Sequence, residues 1–136
     1  MKLLAIDHGQ KRTGIAANDA LGMMAHPLEF IPTEPFDAFL KRLKEILVER
    51  ETEQIIVGMP RNMDGSMGSQ ALKVEDFVAV LKKSLTVPVR TWDERLTTVM
   101  AEDKLREAGV SVRDAKKKVD ASAAAVMLQD YMDSFS

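Results

Sequence analysis

The segment of residues 54–58, Gln-Ile-Ile-Val-Gly, constrains the fold of this chain more than any other. Its three consecutive β-branched residues are typical of a strand covered on both faces, because a strand with one face in water would alternate apolar and polar residues. Strands of this kind belong to parallel sheets, whose crossover connections place helices on the two sides. The segment therefore predicts an α/β fold with a parallel region in its sheet.

The rest of the chain supplies four more predicted strands and four predicted helices. Residues 1–6 and 15–17 form an antiparallel hairpin around a turn that contains Gly9 and Gly14. A third strand over 23–31 lies at a sheet edge, because Pro27 cannot donate to a ladder. Two predicted helices cover residues 36–47, with Pro35 in the first turn, and residues 71–81. The last predicted strand covers 87–92 and has Pro88 at its start. Two more predicted helices follow: one over 98–108, ended by Gly109, and an alanine-rich one over 119–132.

This order of elements predicts a single domain over residues 1–136. Its sheet is mixed and five-stranded, with the antiparallel hairpin at one side and helices on both faces.

The composition narrows the possible chemistry. The 136 residues include no cysteine and two histidines, which excludes thiolate zinc sites, iron–sulfur clusters, disulfides and thiol catalysis. A hard cation held by oxygen ligands remains as the possible metal.

With 19 basic and 21 acidic residues the net charge is −2, so nucleic-acid binding would need basic residues gathered on one face. No apolar run is long enough for a secretory signal or a membrane span, so a cytoplasmic protein with no membrane partner is expected.

Asp7 is the first candidate for chemistry. It ends the first predicted strand and precedes a glycine-containing turn, at the edge where α/β sheets bind ligands. Glycines there let phosphate groups approach the backbone, and Lys11 and Arg12 would add positive charge to the same edge. The alternative is a solvated turn aspartate.

A second acidic position follows the strand over 87–92, where the sequence reads Asp93, Glu94, Arg95. If this strand is parallel to the first, its end shares the sheet edge of Asp7. Two carboxylates at one edge could hold one or two hard cations and align a phosphodiester with a water. The alternative is a solvated corner in which Glu94 pairs with Arg95.

Asp120 is the third acidic candidate. On a helix it shares a face with Ala123, Ala124 and Met127, and this face should pack inward against the sheet. A carboxylate there needs a partner or a metal, because its desolvation is costly. The alternative is an N-cap aspartate that accepts a backbone N–H.

Two further segments could bind phosphates. The run over 113–118 contains Lys116, Lys117 and Lys118 and suits an anionic backbone, with a solvated loop as the alternative. The loop over 58–68 has the glycines, the Asn62 amide and the hydroxyl of a phosphate-contacting loop, with a connecting turn at Asp64-Gly65 as the alternative. We assign neither histidine a catalytic role, although His8, beside Asp7, is the better placed to contact a ligand.

Four motifs resemble the YqgF family, in the family's order and over nearly the whole chain. They are DHGQKRTG at 7–14, VGMPRNMDGS at 57–66, WDERLTT at 92–98, and Val119-Asp120 with Ala123-Ala124 and Leu128-Gln129. The family is a bacterial branch of the RNase H-like, Holliday-resolvase-like nucleases. The resemblance implies an RNase H-like fold and a cytoplasmic, metal-dependent nuclease that processes the 5′ end of pre-16S ribosomal RNA, with Holliday junction resolution as the alternative.

Carried over by position, the family's acidic cluster falls on Asp7, Glu94 and Asp120. Together with the placement of the carboxylates, this implies phosphodiester hydrolysis with Mg²⁺ or Mn²⁺, one cation activating water and another stabilising the leaving oxygen. The backbone phosphates would be bound by Lys11, Arg12, Asn62, Arg95, Lys116, Lys117 and Lys118. The chain departs from the family at His8, where an aromatic residue such as tyrosine is common, and at Asn18, where serine is common.

The expected partners are nucleic acid and ribosomal particles, and precursor rRNA is favoured over branched DNA as the nucleic acid. A monomer and a homodimer both stay open.

One competing interpretation is an ATPase, because Asp-x-Gly-x-x-x-x-Gly also resembles the first phosphate loop of actin-like and sugar-kinase proteins. Those proteins, however, need two such domains. The other is a non-catalytic module that binds RNA or ribosomes. It fits the modest net charge and the seven aromatic residues, which form no obvious stacking platform, but it leaves three carboxylates without a purpose.

Overall fold

A computed structural model describes residues 1–62, 64–93 and 123–134. Within these ranges the chain forms five strands and three helices. The strands are β1 (Leu3–Asp7), β2 (Arg12–Asn18), β3 (Ala25–Pro32), β4 (Gln54–Met59) and β5 (Val89–Asp93); the helices are α1 (Phe36–Glu49), α2 (Ser69–Ser84) and α3 (Ala123–Asp133).

The strands form one mixed sheet in the order β3-β2-β1-β4-β5. The first three strands pair antiparallel, whereas β4 runs parallel to both β1 and β5. The predicted hairpin, the parallel region and the edge position of the strand that contains Pro27 are therefore confirmed. Because β1, β4 and β5 are parallel, their carboxyl ends meet at one edge of the sheet.

The two faces of the sheet carry separate apolar cores. On one face, Leu4, Ile6, Ile55 and Val57 pack with the buried sides of α1 and α2. On the other face, Leu3, Ala5, Ala16 and Ile56 pack with α3. Every residue of β4 is buried, as its sequence predicts, because helices cover it from both sides.

The structure corrects the first predicted turn. Gly14 does not belong to it: β2 begins at Arg12, and Gly14 lies within that strand, directly opposite Asp7. Residue 9 in this turn packs tightly against the chain that returns from it. A Cβ on Gly9 would lie 2.1 Å from the Arg12 carbonyl oxygen, so only glycine fits there.

Smaller differences concern strand ends. β4 continues to Met59, one residue beyond the predicted end, and β5 begins at Val89, after Pro88. Pro88 cannot donate, but its carbonyl accepts the Ile55 N–H at 2.9 Å. The predicted helix over 98–108 and the first residues of the helix predicted over 119–132 lie outside the described residues.

Strand β3 is irregular in its pairing with β2. Ile15 is paired with Glu29, but the next residue, Ala16, is paired with Pro27. Leu28 is therefore an extra residue in β3, which makes a β-bulge.

The β1–β2 pairing is extended by a buried side chain, that of Asn18. The backbone N–H of Leu3 donates to Asn18 Oδ1 at 2.9 Å, and Asn18 Nδ2 donates to the Met1 carbonyl at 2.7 Å. The amide thus satisfies one donor of β1 and one acceptor at Met1, just before this strand.

We expect Asn18→Ala to lower the free energy of unfolding by roughly 1–3 kcal/mol, because it leaves a buried N–H without its acceptor. Urea denaturation measures the change. Lys2→Ala is the control, since it breaks the exposed ion pair with Glu51 and should cost less than about 1 kcal/mol. Equal losses in the two variants would contradict the role of Asn18.

Glu29 and Arg42 join β3 to α1 through two hydrogen bonds. Arg42 Nη2 lies 2.6 Å from Glu29 Oε1, and Arg42 Nε lies 3.0 Å from Glu29 Oε2. These hydrogen bonds, with the positive charge of Arg42, hold the pKa of the Glu29 carboxyl below its usual value. Both side chains are about one-third exposed, so water screens part of the attraction.

We expect Glu29→Gln to destabilise the protein at pH 7 by less than about 1 kcal/mol, as for other partly exposed pairs. A carboxyl with a lowered folded-state pKa stabilises the fold above its unfolded pKa, and this contribution is lost as the pH falls through the folded pKa. The difference between wild type and variant in urea denaturation should therefore shrink in acid. A difference that is constant down to full protonation would refute the assignment.

Candidate active site

Asp7 is the last residue of β1 and is half-buried. Side chains alternate along this strand, so that Leu4 and Ile6 face the core of α1 and α2, whereas Leu3 and Ala5 face α3. By this alternation Asp7 belongs to the α3 face. The carboxylate therefore stands where a strand leaves the core, on the side covered by the last helix.

A cleft of about 220 Å³ opens beside Asp7. Its floor includes Gly14, one wall is formed by β3 residues from Pro27 to Phe30, and the other by the first turn of α3. The three residues of that turn are alanines, Ala123, Ala124 and Ala125. Small side chains on the helix and the sheet thus leave room for a ligand next to the carboxylate.

Phe30 lies at this cleft, across the β2–β3 ladder from Gly14. A Cβ on Gly14 would lie 3.2 Å from Phe30 Cε1 and 3.9 Å from Asp7 Cβ, so the glycine lets the ring approach Asp7. The ring is 46% exposed, and the guanidinium carbon of Arg12 lies 4.6 Å from its centroid. The sequence expectation of no obvious stacking platform stays a prediction, although this one aromatic ring is exposed and lines the cleft.

The turn that carries Lys11 is held by Thr33, the residue that follows β3. The Thr33 hydroxyl donates to the Gly9 carbonyl at 2.7 Å, and its backbone N–H donates to the Lys11 carbonyl at 3.0 Å. A second buried hydroxyl, that of Thr13, lies 2.8 Å from the Thr33 oxygen. Because a hydroxyl has one proton to donate, Thr13 is the donor in this pair. Sequence reasoning missed both threonines, since their contact depends on strand register.

His8 packs on the opposite side of the sheet from the cleft. Its ring centroid lies 4.6 Å from that of Phe77 on α2. Burial lowers the pKa of His8. The negative charge of Asp7 acts to raise this pKa, and the positive charge of Lys73 acts to lower it. The histidine is therefore placed as a packing residue, and the prediction that it would contact a ligand gains no support from this geometry.

The loop after β4 forms the turn that the sequence allowed as an alternative. Gly65, with a φ of 90°, donates its N–H to the Asn62 carbonyl at 2.9 Å. Asn62 Nδ2 donates to Ser66 Oγ at 3.0 Å, and that hydroxyl donates to Asp64 Oδ1 at 2.6 Å. These side chains stabilise the loop, so phosphate binding by Asn62 stays a prediction.

The structure brings Asp7, Lys11 and Arg12 to one end of the sheet, and Asn62 follows the parallel strand β4 at the same edge. The other predicted site residues, Glu94, Arg95, Lys116, Lys117, Lys118 and Asp120, lie outside the described residues. Within the described ranges alone, no group of three or more metal-ligating side chains is present. None of the helices described is long and apolar enough to cross a membrane.

Comparison with solved structures identifies the fold. RuvC of Thermus thermophilus in complex with a Holliday junction substrate superposes with a TM-score of 0.60 at 17% identity, covering 98% of this chain and 94% of RuvC. A second RuvC structure from the same organism gives a TM-score of 0.55 at 16% identity, covering 97% of this chain and 94% of the other. The expected RNase H-like fold is confirmed.

Curated relatives match over nearly their full length. Proteins named "Putative pre-16S rRNA nuclease" from Desulforamulus reducens and Halothermothrix orenii are each 45% identical to this chain. The matches cover 98% of this chain in both cases, and 98% and 95% of the relatives.

A protein-family model, described as "RuvX: Holliday junction resolvase", matches residues 1–134. With the relatives, this confirms the resemblance seen in the four sequence motifs. The chain therefore belongs to the RuvX family and is a nuclease, a hydrolase of phosphodiester bonds.

Proposed function

We propose that this nuclease processes the 5′ end of precursor 16S rRNA in the cytoplasm, with Asp7, Glu94 and Asp120 as its metal-binding catalytic carboxylates. The observation that carries the proposal is the half-buried Asp7 beside an open cleft at the carboxyl end of β1. Two relatives that are 45% identical to this chain are named "Putative pre-16S rRNA nuclease". Precursor rRNA, free or within ribosomal particles, is the proposed substrate.

The described part of the site fits a hard divalent cation. Divalent-metal dependence is general in this family, and we propose Mg²⁺ or Mn²⁺ here, because Asp7 offers carboxylate oxygens and the chain has no cysteine. One carboxylate does not complete a site, so Glu94 and Asp120 are proposed as the other ligands. When bound, the cation supplies Lewis-acid stabilisation of the charge that develops on the phosphodiester.

The basic residues near Asp7 orient the substrate. Lys11 and Arg12 follow it in the turn and at the start of β2, and both are exposed. Within the described part of the chain, no carboxylate forms an ion pair with either side chain. Their N–H groups can therefore donate to backbone phosphates and fix the strand beside the carboxylate.

Holliday junction cleavage is the second candidate, favoured by the description of the family model. Symmetric cleavage of a four-way junction would require two active sites related by a two-fold axis, and thus a homodimer. Sedimentation with and without substrate distinguishes this assembly from a monomer acting on RNA.

A cleavage assay decides the substrate. It compares a precursor rRNA fragment with a four-way DNA junction under the same conditions. The proposal predicts cutting of the RNA with Mg²⁺ or Mn²⁺ and none with EDTA. Asp7→Asn should lower the rate at least about 100-fold, the usual effect of removing one electrostatic group from an active site. Asp76→Asn, an exposed carboxylate on α2, is the matched control and should retain activity. Full activity of Asp7→Asn would overturn the site assignment.

Thr33 is proposed as a positioning residue, because its hydroxyl holds the turn that carries Lys11. We expect Thr33→Val to weaken RNA binding in the inactive Asp7→Asn background. It should also lower the slope of log K against log salt by up to about one, the value for one lost phosphate contact. Lys11→Ala gives the reference slope, and Thr33→Ser, which keeps the hydroxyl, should bind normally. A lower melting temperature with an unchanged slope would mean that Thr33 serves stability alone.

A further inference from the structure

We propose that Phe30 and Arg12 form a platform on which an unpaired nucleobase of the substrate strand stacks, beside the phosphate held near Asp7. We call this pair the Phe30–Arg12 platform. The proposal deepens the nuclease function and rests on it for the identity of the ligand. It adds a base-binding position to a site otherwise made of carboxylates and phosphate contacts.

The exposure of Phe30 is the first support. Phe39 and Phe77 are buried in the core of α1 and α2, and Phe36 is partly buried against that core. Phe30 differs from these phenylalanines, since it is 46% exposed and lines the cleft. An aromatic ring open to a ligand cleft provides a π-face that any of the four bases can use.

The position of the ring is fixed by the backbone beneath it. Phe30 is the direct partner of Gly14 across the β2–β3 ladder, and the ring edge lies where a side chain on residue 14 would be. Gly14 is in turn the partner of Asp7. The ring and the carboxylate therefore belong to residues on either side of one glycine, in neighbouring positions across the sheet.

Arg12 gives the platform its second component. Its guanidinium lies over the Phe30 ring at 4.6 Å, a cation–π arrangement that leaves the N–H groups in the guanidinium plane available to phosphate. The neighbouring Glu29 does not oppose an anion there, because its carboxylate is paired with Arg42 at 2.6 Å. An aromatic face with an adjacent arginine fits the two parts of a nucleotide, base and phosphate.

The base that stacks on this platform must be unpaired. In a duplex both faces of each base are covered by its neighbours, so a ring can stack only on a base in a single strand, an end or a bulge. The platform thus favours single-stranded or frayed substrate next to the cleavage position.

The structure also allows a purely structural use of the ring, because aromatic side chains can shield a glycine on the neighbouring strand. Phe30→Leu separates the two uses: leucine still covers Gly14 but has no π-face. Phe30→Tyr keeps the π-face and serves as the conservative variant.

The test measures binding of the Asp7→Asn protein, with Mg²⁺, to two fluorescent strands by anisotropy. One strand is single-stranded RNA, and the other is an abasic strand with the same number of phosphates. Base stacking is worth about 1–3 kcal/mol per base, so the parent should bind the RNA roughly 5- to 150-fold more tightly than the abasic strand. Phe30→Leu should reduce this ratio toward one without changing affinity for the abasic strand, and Phe30→Tyr should restore it. Leu21→Ala, an 81% exposed apolar residue in the β2–β3 connection, is the control and should leave the ratio unchanged.

An unchanged ratio in Phe30→Leu would overturn the platform and leave the nuclease proposal standing. Because binding is measured in an inactive variant, failure of the nuclease proposal can also be distinguished from failure of the platform. If the wild type cuts no RNA but the ratio depends on Phe30, the proposed processing activity fails and the platform stands.

Discussion

Burial of β1 and β4 on both faces is the constraint on which the rest of the structure depends. Helices must cover both sides of these strands, so a polar side chain can meet solvent where a strand leaves the core. Asp7 is such a side chain: it follows Ile6, which is fully buried, and is itself half-buried. The packing that stabilises the sheet thus also fixes the position of the Asp7 carboxylate beside the cleft.

Small residues on the α3 face determine the shape of the site. Ala5 and Ala16 on the sheet meet Ala124 and Ala125 on the helix, which lets the two layers pack closely. Gly14 continues this series to the strand end, and the space it leaves is shared by the cleft and the edge of Phe30. Larger side chains at these positions would push the helix outward and separate the residues that line the cleft.

The sequence predicts those features that depend on local pattern. The β-branched run of β4 indicates a strand buried on both faces, and Pro27 indicates an edge, because each signal is contained in a few neighbouring residues. The motif residues Asp7, Lys11 and Arg12 could be placed at one end of the sheet for the same reason. The role of Gly14 could not, since it depends on the register that sets it between Asp7 and Phe30. The contact between the Thr13 and Thr33 hydroxyls could not be predicted either, because these residues are distant in sequence and meet only after β2 and β3 pair.

The bulge in β3 bears on how an edge strand can stay exposed. Leu28 is the extra residue in the pairing with β2, and the adjacent Pro27 has no N–H, so β3 departs from a regular edge strand near its middle. Bulges and prolines on an edge strand make it a poor template for a strand from another molecule, and such features protect open sheet edges from aggregation. Strand β3 can therefore present an apolar ring at the cleft while resisting edge-to-edge polymerisation.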